Sequence, residues 1–138
     1  MKFPNAMEKR EAVVSYALKF LGQPYEWGGD GRKNKGFDCS GLVQEVLHSI
    51  GAGPKTDLTA QGIYNLFKDR SGIPSHQHGN LIFFGKDLQQ ITHIGITLNE
   101  YQYIEAGGGD SKNLAGMVRI RPQWHRKDML IIIDFIKE

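Results

Sequence analysis

The chain contains a single cysteine, Cys39, and it lies between an acid and a hydroxyl, Asp38 and Ser40. Asp38 is a favourable helix N-cap, so a helix is predicted to begin there with Cys39 in its first turn. The unpaired N–H groups and the positive end of the helix dipole in that turn favour a thiolate. Cys39 is therefore either a nucleophile or a buried structural cysteine, and its position alone does not separate the two.

A nucleophilic cysteine requires a base, and four of the five histidines are poorly placed for that role: His48, His76, His78 and His125. His48 lies nine residues beyond Cys39 on the same predicted helix, about 180° around its axis. His76 and His78 flank a glutamine in a polar loop, and His125 lies in a basic turn. No cysteine or acid beside His76 and His78 completes a metal site, so neither a metal nor another cofactor is predicted.

His93 has a different setting, because it lies in the alternating segment "THIGITL". Alternation predicts a strand with Ile94 and Ile96 on one side and His93 on the other. Gly95 is expected to leave room beside the imidazole. His93 is therefore the candidate base, with a structural histidine as the alternative.

An orienting group for His93 depends on the hairpin that joins "THIGITL" to "YQYIEA". A three-residue loop over 98–100 would pair Thr97 with Tyr101 and place Glu105 opposite His93. A two-residue loop at 99–100 would instead turn Glu105 to the other face of the sheet. The sequence permits both, so Glu105 is either the group that orients the base or a solvated acid at the end of a strand.

The remaining segments predict the elements that position these residues. Helical periodicity predicts helices over about 6–21, 38–50 and 56–69. Strands are predicted at "NLIFFG", "THIGITL", "YQYIEA", "GMVRIR" and "MLIIIDFI". N-terminal helices followed by an antiparallel sheet define the α+β class.

Length and composition narrow the class of protein. The 138 residues are expected to form one domain over 1–138. Because the chain has a single cysteine, no internal disulfide can cross-link its core. A net charge of +2 with scattered basic residues does not predict nucleic-acid binding. The absence of a signal-like or membrane-spanning run predicts no membrane partner and a chain that is cytoplasmic as synthesised. Release by a route that needs no signal, and a trimmed signal, are the alternatives.

Four segments in order resemble the NlpC-type cell-wall peptidases, a papain-like cysteine peptidase family: "PYEWGGDGRKNKGFDCSGLVQEVL", "GNLIFFG", "THIGITL" and "YIEAGGG". The resemblance runs from about Gln23 to Gly109 and implies a papain-like fold. It implies Cys39 as nucleophile and His93 as general base, with Glu105 at the position of the third polar residue.

The resemblance also implies residues that bind substrate. Tyr25 matches a tyrosine that shapes the active site and its oxyanion environment, and Asp38 and Ser40 match residues that contact the free amino end of the substrate. The substrate class implied is a peptidoglycan stem peptide, cut between D-glutamate and the following diamino acid.

Two positions depart from the family pattern. The third polar residue is most often His, sometimes Asn or Gln, whereas this chain has Glu105. A carboxylate can orient the base but adds negative charge near the thiolate, and we expect activity to survive. Asn80 replaces an acid, and we expect this to be a minor change in a turn.

The resemblance thus implies a peptidoglycan endopeptidase, and we expect it to act as a monomer on a peptide substrate. A non-catalytic wall-binding module of the same fold is one alternative, and an acyltransferase or amidase with the same Cys–His pair is another. The missing signal fits a phage or prophage tail-associated hydrolase that reaches the wall with other tail proteins.

Overall fold

A computed structural model describes residues 5–24, 38–53, 57–70, 72–107 and 116–136. Within these segments three α-helices precede a five-stranded sheet. The helices are α1 (Ala6–Leu18), α2 (Cys39–Ser49) and α3 (Ala60–Phe67). The strands are β1 (Leu81–Gly85), β2 (Ile91–Thr97), β3 (Gln102–Gly107), β4 (Met117–Pro122) and β5 (Met129–Ile133), in the order β4-β3-β2-β1-β5. Every neighbouring pair is antiparallel, so the predicted α+β class is confirmed.

Helix α2 begins and ends where the sequence predicts. The carboxylate of Asp38 caps it by accepting the backbone N–H of Gly41 at 2.7 Å. Gly51, with a φ of +74°, follows its last turn in the left-handed conformation that glycine adopts without strain. Its buried face packs on β2 and β3, so the first turn is anchored against the sheet.

The other two helices are shorter than predicted. Helix α1 ends at Leu18, three residues early. Helix α3 begins at Ala60, because the side chain of Thr59 caps it by accepting the N–H of Gly62, and it passes into a 3₁₀ turn over Lys68–Arg70. None of the helices in the described segments is long and apolar enough to cross a bilayer.

The sheet has apolar residues on both faces, but the two sides differ in what covers them. Ile94, Ile96 and Ile104 belong to the main core beneath the helices. On the other face Ile82, Phe84 and Tyr103 form a smaller buried cluster. The predicted alternation in β2 is correct, and the ring of His93 lies with the smaller cluster, 5.4 Å from the ring of Phe84.

The hairpin between β2 and β3 differs from both predicted registers. Thr97 pairs with Tyr103, and Leu98 donates its N–H to Gln102 O, which leaves a three-residue loop over 99–101. Asn99 stabilises this loop by accepting the N–H groups of Tyr101 and Gln102 at 2.8 and 2.9 Å. The predicted three-residue loop was therefore placed one residue too early, and the predicted Thr97–Tyr101 pair is wrong.

The loop nevertheless contains an odd number of residues, and this determines the face of the sheet on which Glu105 lies. Continuing the observed register by one residue beyond the Ile96–Ile104 pair places Glu105 opposite Gly95. His93 and Glu105 therefore share one face of the sheet as diagonal neighbours, not as the directly opposed pair that was predicted.

A buried arginine ties the N-terminal helix to the sheet. Arg10, only 1% exposed, donates to both carboxylate oxygens of Asp134 at 2.8 Å and to the side-chain oxygen of Asn80 at 2.9 Å. Asn80 in turn donates to His76 O at 2.7 Å. Asn80 is therefore a structural member of this clamp, since its amide supplies both an acceptor and a donor.

Candidate active site

The thiol of Cys39 lies at the first residue of α2, partly exposed and packed against the main core. The thiol faces the imidazole of His93, and its interaction with the ring raises the pKa of His93. Asp38 fixes this end of the helix through the bond to Gly41, and the hydroxyl of Ser40 lies 3.4 Å from the same carboxylate oxygen. The structure thus places the thiol in a capped helix terminus, where the helix dipole favours negative charge.

The imidazole of His93 lies between the thiol and a carboxylate. His93 is 6% exposed, and its Nε2 is 2.7 Å from Oε1 of Glu105. With Nε2 engaged by Glu105, Nδ1 is the ring nitrogen left to face Cys39. The ring can therefore hold a proton on each nitrogen, with an acceptor for each.

The carboxylate of Glu105 is almost fully buried, at 2% exposed, and both of its oxygens have donors. The hydroxyl of Tyr103 donates to Oε1 at 2.7 Å, the oxygen that also faces His93. The Nε of Arg119 donates to Oε2 at 2.9 Å. These contacts come from β2, β3 and β4, so three strands fix the orientation of one carboxylate.

The electrostatics of the site favour the charged forms of both partners. Burial lowers the pKa of His93, but the hydrogen bonds and negative charges of Cys39 and Glu105 raise it from 6.5 to about 9. Burial raises the pKa of Glu105, but His93, Tyr103 and Arg119 together lower it from 4.5 to about 2. Burial and the bond to Glu105 raise the pKa of the Tyr103 hydroxyl, so it remains a neutral donor.

This arrangement can support nucleophilic chemistry on a carbonyl. A thiol in contact with an imidazole can transfer its proton and become a thiolate, and the resulting imidazolium can later protonate a leaving group. The buried carboxylate holds the ring in one orientation and stabilises its charged form. Among the described residues no group of three or more side chains could bind a metal ion.

The site residues predicted from sequence have different outcomes. The structure brings Cys39, His93 and Glu105 together, and it places Asp38 and Ser40 beside the thiol at the helix start. Tyr25 lies outside the described residues. Among the other histidines, His125 is exposed and the remaining three are half-buried.

Two partners of Glu105, Tyr103 and Arg119, were not predicted from the sequence. Tyr103 precedes Glu105 by two positions on a strand, so the period-2 rule places both on one face. Arg119 pairs with Glu105 across β3 and β4, a register that the sequence does not fix. The room expected beside Gly95 is taken by the ring of Tyr103, since a β-carbon at Gly95 would lie 2.6 Å from its Cδ2.

Comparison with known proteins identifies relatives of this site and fold. Residues 22–129 match the NlpC/P60 family. The chain is 38% identical over 95 residues to the bifunctional muramidase/DL-endopeptidase CwlT of Bacillus subtilis, covering 67% of this chain and 27% of CwlT. It therefore spans about a quarter of that relative.

Solved structures with a similar fold include two relatives, RipB and RipA. The peptidoglycan hydrolase RipB of Mycobacterium tuberculosis superposes with a TM-score of 0.76 at 29% identity, covering 100% of this chain and 70% of that one. A structure of the Resuscitation Promoting Factor Interacting protein RipA also has a TM-score of 0.76, at 26% identity, covering 96% and 64%.

Proposed function

This chain belongs to the NlpC/P60 family, and we propose that it is a cysteine endopeptidase that cleaves the stem peptides of peptidoglycan. Its helices packed on a five-stranded antiparallel sheet form the papain-like α+β fold of that family. The proposal rests on one observation above the others: the buried imidazole of His93 is 2.7 Å from the carboxylate of Glu105, and the thiol of Cys39 interacts with the same ring.

In the proposed reaction Cys39 attacks the carbonyl carbon of the scissile amide as a thiolate, giving a tetrahedral oxyanion. Backbone N–H groups in the first turn of α2 would stabilise that oxygen, with Tyr25 as a further donor. The imidazolium of His93 then protonates the leaving amine, and the C–N bond breaks to leave a thioester on Cys39. Water, activated by the neutral imidazole, hydrolyses the thioester and restores the thiolate–imidazolium pair.

The names of relatives support the choice of Cys, His and Glu. Three structures of RipA are of the protein mutated at a cysteine, at a histidine and at a glutamate. The histidine and the glutamate lie the same distance apart along the RipA chain as His93 and Glu105 do here. We therefore propose that Glu105 is the third member of the catalytic group in this chain.

The bond proposed for cleavage lies between D-glutamate and the following diamino acid. CwlT is named a DL-endopeptidase, a term that fits a bond between a D-residue and an L-centre. Asp38 and Ser40, at the entrance of α2, are proposed to receive the free amino end of the peptide. A negatively charged Asp38 is suited to an ammonium group at that position.

The proposal is tested with synthetic peptides of sequence L-Ala–D-Glu–diamino acid, prepared in parallel with free and acetylated N-termini. Mass spectrometry of the digest should show a new amino group on the diamino acid, and acetylation should reduce kcat/KM. Cys39→Ala should abolish cleavage, whereas His125→Ala, which changes an exposed histidine, should retain it.

Two results would overturn the proposal. Unchanged cleavage by the Cys39→Ala protein would remove the thiol from the mechanism. Tight binding of muropeptides by the unaltered chain with no cleavage would identify a wall-binding module instead. A binding module has no need of an imidazole held between a thiol and a buried carboxylate, and that geometry favours the enzyme.

A further inference from the structure

Arg119 occupies a position that places a positive charge directly behind the proposed catalytic group. It is the cross-strand partner of Glu105 on β4, and its Nε donates to Oε2 at 2.9 Å. The side chain of Glu105 is 2% exposed and that of Arg119 is 25% exposed, so the ion pair is shielded from water mainly on the carboxylate side.

A glutamate in this place creates an electrostatic difficulty that a neutral third residue would not. A thiolate at Cys39 and a carboxylate at Glu105 would put two anions on either side of a single imidazolium. A buried carboxylate without further partners tends to bind a proton, and a protonated Glu105 would no longer attract the proton on Nε2 of His93. Arg119 makes the row of charges alternate: thiolate, imidazolium, carboxylate, guanidinium.

On the basis of the function proposed above, we propose that Arg119 is a positioning residue that keeps Glu105 ionised and turned so that Oε1 accepts from His93. The two carboxylate oxygens of Glu105 have different partners, which supports this role for Arg119. Oε1 faces His93 and Tyr103, and Oε2 is bound by Arg119. Loss of the Oε2 contact would free the carboxylate to rotate about its last bond and to take up a proton.

The other charged groups around the site do not duplicate this role. Arg126 is paired with Asp128 through two bonds of 2.8 and 2.7 Å, and its guanidinium lies over the ring of Phe84. Arg126 interacts with Tyr103 and Glu105 only by long-range electrostatics. Asp128 interacts with the charge on His93 in the same way. Tyr103 is a neutral donor.

The chain offers a matched control for Arg119. Arg121 lies two positions along β4, and it forms no ion pair with any residue that the structure describes. Arg119→Gln and Arg121→Gln therefore remove the same charge from neighbouring positions of one strand, but only the first removes a contact with Glu105.

The readout is the proton NMR signal of the His93 Nε2–H bonded to Glu105, followed as the pH is lowered. In the unaltered protein and in Arg121→Gln the signal should persist until Glu105 is protonated at very low pH. In Arg119→Gln its acid midpoint should rise by about one to two pH units. A substitution that only destabilised the fold would not raise the acid midpoint in Arg119→Gln while leaving it unchanged in Arg121→Gln.

Kinetics provide the second readout. Arg119→Gln should lower kcat about tenfold with little change in KM, because the base is misaligned while the substrate contacts are intact. Arg119→Lys, which restores a charge, should recover the acid midpoint. If Arg119→Gln fails to fold, Arg119→Ala replaces it in both measurements, because it also removes the charge and the contact with Glu105.

An acid midpoint in folded Arg119→Gln that equals that of Arg121→Gln would overturn the assignment of Arg119. A midpoint in folded Arg119→Lys that stays as high as that of Arg119→Gln would overturn the claim that the positive charge at this position keeps Glu105 ionised. The NMR test needs no substrate, so it is independent of the proposed function. If the chain cleaved no peptide but the midpoint moved as stated, the endopeptidase proposal would fail and the role of Arg119 toward Glu105 would stand.

Discussion

The imidazole of His93 and the carboxylate of Glu105 meet at 2.7 Å although the two residues are not cross-strand partners. In the register of the β2–β3 hairpin, Glu105 lies opposite Gly95 and reaches His93 along the diagonal. Diagonal neighbours on a sheet have Cα atoms about 7–8 Å apart, a gap that only a long side chain spans. The contact therefore depends on the length of glutamate as well as on its charge.

Shortening this side chain should break the contact while keeping its charge. In Glu105→Asp the carboxylate retreats by one methylene group, so it should no longer reach Nε2 of His93. We expect kcat to fall about 10- to 100-fold, with the protein still folded because Tyr103 and Arg119 remain as partners. Steady-state kinetics with a stem peptide measure this, and an Asp variant with unaltered kcat would contradict the diagonal geometry as a catalytic requirement.

Removing the charge at constant length should change the pH dependence instead. The carboxylate of Glu105 helps to raise the pKa of His93 to about 9. In Glu105→Gln the imidazolium loses that support and should deprotonate at lower pH. We expect the alkaline limb of kcat/KM to shift from near pH 9 downward by about one pH unit.

The matched control for this pH profile is Gln90→Glu, an exposed change that adds a charge without touching the site. Its alkaline limb should coincide with that of the unaltered protein. A limb that stayed near pH 9 in Glu105→Gln would show that the carboxylate does not support the charged imidazole.

The same ion pair should give the folding free energy a characteristic dependence on pH. Because the pKa of Glu105 falls from 4.5 to about 2 on folding, its contribution is present above pH 4.5 and is lost as the pH drops through 2. Because the pKa of His93 rises from 6.5 to about 9, its contribution is present below pH 6.5 and is lost as the pH rises through 9. The pair should stabilise the fold most between pH 4.5 and 6.5.

Urea unfolding across this range, for the unaltered protein and for Glu105→Gln, isolates the contribution of the pair. The difference in free energy of unfolding between the unaltered protein and Glu105→Gln should be largest between pH 4.5 and 6.5. It should decrease at lower and at higher pH. A difference that is constant with pH would mean that the pair does not titrate differently in the folded and unfolded chains.

The sequence predicted the parts of the site that local rules control. The N-cap at Asp38 follows from one carboxylate and the N–H of Gly41, so the position of Cys39 at the start of α2 could be read directly. Alternation placed His93 on the opposite side of β2 from Ile94. These rules involve residues close in the chain, and tertiary packing did not override them.

The parts that were missed depend on one turn and on pairing between distant segments. The loop over 99–101 is set by the side chain of Asn99 accepting two N–H groups, and that preference moved the register by one residue on each strand. Arg119 reaches Glu105 only through the β3–β4 register, in which the two residues are cross-strand partners. Likewise, the structural role of Asn80 could be recognised only once Arg10 was known to bind its side chain.

Gly107 tests how closely the carboxylate is confined. A β-carbon at this position would lie 2.5 Å from Oε2 of Glu105 and 3.5 Å from Cε1 of His93. Gly107→Ala should therefore displace the carboxylate and lower kcat at least tenfold. Its thermal unfolding should change less, because alanine also reduces the entropy of the unfolded chain.

The control is Gly62→Ala on α3, where the nearest atom to the new β-carbon is a flexible Leu58 methyl at 3.3 Å. That variant should keep its kcat. If Gly107→Ala retained the kcat of Gly62→Ala, the space beside Glu105 would be larger than the structure indicates.

The clamp around Arg10 should matter for stability and not for chemistry. Its guanidinium is buried and binds both oxygens of Asp134, the side chain of Asn80 and the carbonyl of His78. Arg10→Met leaves a carboxylate that is 15% exposed without its partner. We expect the free energy of unfolding to fall by about 3 kcal/mol.

Arg126→Met provides the comparison, since the Arg126–Asp128 pair is about one-third exposed on each side and should contribute at most about 1 kcal/mol. Adding Asp134→Leu to Arg10→Met should recover part of the loss, because the stranded charge is then removed. The kcat of folded Arg10→Met should match that of the unaltered chain, since none of its partners touches Cys39, His93 or Glu105. Equal stabilities of Arg10→Met and Arg126→Met, measured by urea unfolding, would show that burial does not strengthen the clamp.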